Sequence, residues 1–104
     1  MRKKYRLEIT QAAKDDVAAN HDFIARDKPK AAAKWVRTFD RHVRSLRYLP
    51  TRYEVIPEAE EIQFPYRHVI WGNYRIIYKI EDDLVTIVRV FHAARLLRTR
   101  HFEM

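Results

Sequence analysis

The chain has 104 residues, a length that suits one domain (1–104) with a single modest core, and its hydrophobic share of 47% fits a folded rather than a disordered chain. It has no cysteine and a lone glycine, Gly72; these exclude disulfides, a thiolate nucleophile, cysteine-ligated zinc and the Gly-rich loops that cradle nucleotides, so no cofactor is expected. Lys and Arg outnumber Asp and Glu by 21 to 14, and the net charge of +7 points to a polyanionic partner, either nucleic acid or an acidic protein segment.

The basic start MRKKYRLEIT is followed by no apolar signal core, and no apolar run approaches the length that spans a bilayer. A soluble, cytoplasmic protein with no membrane partner is expected. Tyr5 to Ile9 alternates apolar and charged residues and reads as a half-buried strand. Thr10 stands where a helix N-cap would, and a first helix is predicted from Gln11 to about Arg26, with Asp15 and Asp16 near the positive end of its dipole. Asp27-Lys28-Pro29 breaks it. A second helix follows from Pro29 to about Tyr48, with Ala32, Trp35, Val36, Phe39, Val43 and Leu46 on an apolar stripe. Lys34, Arg37, Arg41, Arg44 and Arg47 form a second, basic stripe, read either as an anion-binding face or as a solvated one, the latter being preferred on geometry alone.

Residues 50–65 contain Pro50, Pro57 and Pro65 and reverse the charge: Glu54, Glu58, Glu60 and Glu61 have no basic neighbour between Tyr53 and Phe64. An exposed loop is expected here, in preference to an acidic segment folded back on a basic patch. Strands are predicted at Arg67–Trp71, Tyr74–Glu81 and Leu84–Phe91, joined by turns at Gly72-Asn73 and Asp82-Asp83. Strict alternation places Tyr74, Ile76, Tyr78, Ile80, Val85, Ile87, Arg89 and Phe91 on the face that meets the helices, with the Arg89 guanidinium snorkelling to an edge. The other face is then open and partly basic, with Arg75 near His92 and Arg95. The expected fold is a two-layer α+β domain of order β-α-α-β-β-β, its mainly antiparallel sheet packed on an αα-hairpin. The tail from His92 onward reads as a short helix or a flexible end.

His68, Arg75, His92 and Arg95 form the candidate catalytic set. Arginines hold phosphates, histidine transfers protons near neutral pH, and cleavage of RNA by its own 2′-OH needs a base, an acid and a cation. His21 and His42 read as boundary residues. No metal site is expected, because no two histidines share a short spacing on one helix.

The segment NYRIIYKIEDDLVTIVRVFHAARLL, Asn73 to Leu97, resembles the closing hairpin of RelE/ParE family toxins: the "YRIIY" strand at Tyr74–Tyr78, the acidic turn at Asp82-Asp83, and the strand end Val90-Phe91-His92-Ala93-Ala94-Arg95. The stretch from His21 to Pro50 is similar to the family's helix hairpin. The resemblance implies the same β-α-α-β-β-β fold and the toxin of a type II toxin–antitoxin pair, of the plasmid-stabilisation type. Such a toxin arrests growth and is neutralised by an acidic, partly disordered antitoxin. RelE-like members cleave mRNA on the ribosome; ParE-like members poison DNA gyrase. Arg75 and Arg95 match the arginines that contact the scissile phosphate region in RelE-like enzymes. The chain departs from that branch where it carries Arg67 and His68 in place of lysines, and in having no tyrosine after Tyr78. His92-Ala93-Ala94-Arg95 and the long helix hairpin look more like the ParE branch. Gyrase inhibition without catalysis is therefore the favoured expectation. A ribosome-dependent endoribonuclease using His68, Arg75, His92 and Arg95 is the first alternative, and a non-toxic nucleic-acid-binding module the second. Antitoxin or target contacts are expected at Lys34, Arg37, Arg41, Arg44, Arg75, Arg95 and Arg98.

Overall fold

The computed structural model describes residues 3–92. Its main elements are β1 (Arg6–Ile9), α1 (Gln11–Ala25), α2 (Pro29–Ser45), the short α3 (Ala59–Ile62), β2 (Arg67–Trp71), β3 (Tyr74–Glu81) and β4 (Leu84–His92), with a 3₁₀ turn at Pro50–Arg52. The strands form one mixed sheet in the order β1-β4-β3-β2. β1 lies parallel to β4, and the other neighbours are antiparallel. The expected β-α-α-β-β-β order is present, with α3 and the 3₁₀ turn added within the linker. No helix among the described residues is long and apolar enough to cross a membrane. The tail beyond His92 lies outside the described residues.

Local chemistry sets the element boundaries. The Thr10 hydroxyl accepts the Ala13 N–H at 3.1 Å and donates to the Val88 carbonyl at 2.9 Å, so one side chain caps α1 and ties it to β4. Pro29 opens α2 without losing a helical hydrogen bond. α2 ends at Ser45, short of the expected Tyr48, where Leu49 takes a left-handed conformation and the Arg52 guanidinium donates to the carbonyls of Ser45, Tyr48 and Leu49. Gly72 (φ 56°) and Asp82 (φ 55°) supply the positive φ that their tight hairpins need.

Helices α1 and α2 cover one face of the sheet. Ala13, Trp35, Phe39, Val43 and Leu46 pack there on Val69, Ile76, Tyr78, Val85, Ile87 and Val90. The pleat departs from strict alternation at one point. Tyr78 pairs with Ile87 and Ile77 with Arg89, so Val88 has no cross-strand partner and forms a β-bulge. Beyond it the faces invert. Val90 enters the main core, while Phe91, expected under the helices, joins Ile56 and Ile77 in a second cluster on the opposite face. Arg89 is likewise not beneath the helices. Its guanidinium meets the Asp16 carboxylate at 2.8 and 2.9 Å, and Asp16 also accepts the Val90 N–H at 2.9 Å. Asp16 thus caps the backbone of β4 beyond Ile87, where pairing with β1 ends, and does not sit at the helix dipole as expected.

The second face is also not open. Ile56, Ala59, Ile62 and Tyr66 from the linker pack over Ile77, Val88 and Phe91. The buried Tyr78 hydroxyl donates to the Pro50 carbonyl and ties down the start of the linker; burial raises its pKa.

Candidate functional site

The linker brings its carboxylates onto the sheet. Glu58 accepts two hydrogen bonds from the Arg75 guanidinium, at 2.7 Å from Nη1 and 2.9 Å from Nη2, the bidentate geometry that arginine and carboxylate favour. Arg75 Nε donates to His68 Nδ1 at 3.1 Å, and His68 Nε2 lies 2.9 Å from Glu54 Oε1. Because arginine only donates, Nδ1 must accept, and the ring is fixed with its proton on Nε2, pointing at Glu54. Arg75 and His68 are 5% and 4% exposed. The acidic segment therefore folds back on the basic face, contrary to the exposed loop expected. Arg75 is not presented on the contact surface proposed for it, since Glu58 covers it.

The set His68, Arg75, His92 and Arg95 does not converge among the described residues. His68 and Arg75 touch. His92 pairs across the sheet with Tyr74 on the opposite face, its ring 5.8 Å from the Tyr74 ring, because the bulge at Val88 inverts the strand end. Tyr74 belongs to an aromatic cluster with Trp35 and Trp71, at 5.1 and 5.6 Å between ring centroids. Arg95 and Arg98 lie outside the described residues. No group of three potential metal-ligating side chains occurs among the described residues.

The basic stripe of α2 is present without Arg47. At 100° per residue, Lys34, Arg37, Arg41 and Arg44 fall within an arc of about 80° opposite Trp35, Phe39 and Val43. All four are exposed, and none forms an ion pair among the described residues. Arg47 follows the end of the helix and is half-buried. On the flank, His42 stacks 5.4 Å from Trp71; burial, and then the neighbouring Arg41 charge, lower its pKa.

Sequence reading named Glu54, Glu58 and Asp16 but gave them other roles, the glutamates in an exposed loop and Asp16 at the helix dipole, whereas they shape the site. The one signal for the glutamates was the reversal of charge in the linker, opposite a face that carries Arg75.

An αα-hairpin over one face of a small mixed sheet, with a basic outer helix, defines a compact two-layer α+β domain. The family model described as "ParE toxin of type II toxin-antitoxin system, parDE" matches residues 7–97, and the chain belongs to that family. It is the toxin component of such a system, with an antitoxin as its partner. Among solved structures, the chromosomal ParDE toxin–antitoxin system from P. aeruginosa is similar at TM-score 0.68 and 16% identity, over 86% of this chain and 97% of that one. The RelBE2 toxin–antitoxin complex from Mycobacterium tuberculosis is similar at TM-score 0.58 and 23% identity, over 88% of this chain and 94% of that one. Both share the fold. No curated protein matches the sequence.

Proposed function

We propose that this toxin arrests growth by binding DNA gyrase in the cytoplasm, not by cutting RNA, and that an acidic antitoxin reverses the arrest. The observation that carries this reading is the engagement of Arg75. Its guanidinium is buried and held at both Nη atoms by Glu58, while both nitrogens of His68 are occupied. A phosphate could reach that arginine only by displacing a buried carboxylate, and His68 has no free nitrogen for proton transfer. His92 lies on the other face. A gyrase inhibitor needs none of these groups, only a complementary surface. Membership in the ParE family and the ParE-like strand end support the same choice. Contacts to target or antitoxin fall to Lys34, Arg37, Arg41 and Arg44 on α2 and to Arg95 and Arg98 in the tail.

Purified toxin is assayed in parallel on gyrase supercoiling and on ribosome-bound mRNA. The expected result is blocked supercoiling or trapped cleaved DNA, relieved by the antitoxin, with intact mRNA. Specific mRNA cuts lost in His92→Ala or Arg75→Ala, with gyrase unaffected, would promote the ribonuclease alternative.

A further inference from the structure

The outer face of α2 carries more organised charge than a solvated helix needs. Lys30 extends the stripe of Lys34, Arg37, Arg41 and Arg44 by one turn and is also exposed. The five cations lie in one arc of about 80° and span about 21 Å at 1.5 Å per residue. None has an ion-pair partner among the described residues. About 20 Å of duplex DNA carries roughly a dozen phosphates at one charge per ~1.7 Å of axis, so a straight row of cations has anions to meet along its whole length.

We propose that this face of α2 binds the phosphate backbone of duplex DNA. The proposal narrows the target-contact reading of these residues given above, and its test uses purified protein without gyrase, so the two stand or fall separately.

Two observations select duplex DNA over other polyanions. An acidic peptide that folds on binding must bury apolar groups to offset its ordering entropy. The stripe is flanked by Ala31, Ala33, Thr38 and Asp40, which offer almost no apolar surface, and the exposed large apolar residues Phe23, Leu49, Val55 and Ile70 all lie off α2. Single-stranded nucleic acid is held largely by stacking on aromatic rings, and the stripe contains none. What remains is a sequence-independent row of guanidinium and ammonium groups, suited to a phosphate backbone.

The test measures binding of a 20-base-pair duplex by fluorescence anisotropy between 50 and 200 mM NaCl. With all five cations in contact, log K falls against log salt with a slope of about −4.5, roughly a 500-fold loss across that range. The triple variant Arg37→Gln/Arg41→Gln/Arg44→Gln should flatten the slope to about −1.8, roughly a 12-fold loss. Lys3→Gln/Lys4→Gln/Lys14→Gln removes the same three charges from +7 at other exposed positions and should keep the parent slope. All substituted side chains are exposed, and circular dichroism melts check that each variant folds. The proposal is overturned if the parent does not bind the duplex at 50 mM salt, if the two variants change the slope equally, or if the single strand binds more tightly than the duplex. It is also overturned if the α2 variant loses the antitoxin but keeps the DNA slope, since α2 would then be a protein-docking face.

Discussion

Glu58 grips the guanidinium of Arg75 through both carboxylate oxygens, and their side chains are only 13% and 6% exposed. The linker is thereby fastened to the outer face of the sheet by a charge pair taken out of water. Breaking such a pair is costly because the remaining charge is stranded, whereas replacing both partners with apolar side chains is often neutral. Glu58→Ala should destabilise the fold by about 3–5 kcal/mol in urea titrations, and Arg75→Met/Glu58→Leu should recover most of that. The double variant should also remain toxic, since it keeps the fold and removes only a structural arginine. A folded but harmless double variant would return Arg75 to the working surface.

Asp16 joins α1 to β4 by accepting from both the Arg89 guanidinium and the Val90 N–H. The Arg89 pKa is raised by its hydrogen bond to Asp16. Asp16→Ala removes the carboxylate from a half-buried guanidinium and leaves the Val90 N–H without its acceptor, and should cost about 2–3 kcal/mol. Asp16→Asn keeps one acceptor and should cost less. Hydrogen exchange at Val90 should accelerate in the alanine variant more than at Ile76, in the centre of the sheet. Equal acceleration at both would mean general loosening, not loss of a local cap.

His42 gives the fold a dependence on mild acid. Its pKa lies below the ordinary value of 6.5 because it is partly buried and sits beside Arg41. The unfolded chain then binds more protons between the two pKa values, so stability is full above about pH 6.5 and falls as pH drops below it. His42→Gln should flatten the melting temperature between pH 7 and pH 5 relative to the parent. An identical pH profile would assign the acid sensitivity elsewhere.

Arg95 lies beyond β4 and matches the arginine at the end of the family's strand motif. Arg95→Ala should abolish growth arrest while leaving the melting temperature within a few degrees of the parent. Full toxicity, or loss of toxicity through unfolding, would remove Arg95 from the contact set.

The elements were legible because their signals are local. The bounds of β2 and β3 follow from alternating residues between turn formers, and Thr10 and Pro29 mark the helix starts by their own chemistry. The bulge was not legible. Leu84 to Phe91 is apolar in both registers, so nothing in L-V-T-I-V-R-V-F shows that Val88 is the extra residue. That single insertion exchanged the faces of Arg89, Phe91 and His92, and with them the expected meeting of His92 with Arg75. The pairing of Glu58 with Arg75 joins residues distant in sequence, and no spacing rule reports it; only the complementary charges of linker and sheet hinted at it. The α2 stripe was visible as a helical period, and its lack of ion-pair partners required the fold.

The most direct measurement is the linking number of a reporter plasmid recovered from cells during toxin-induced arrest. Gyrase maintains negative supercoiling, so the plasmid should relax as growth stops and regain its superhelical density when the antitoxin is induced. Growth arrest with unchanged plasmid topology, accompanied by transcripts cut at specific positions, would contradict gyrase as the target.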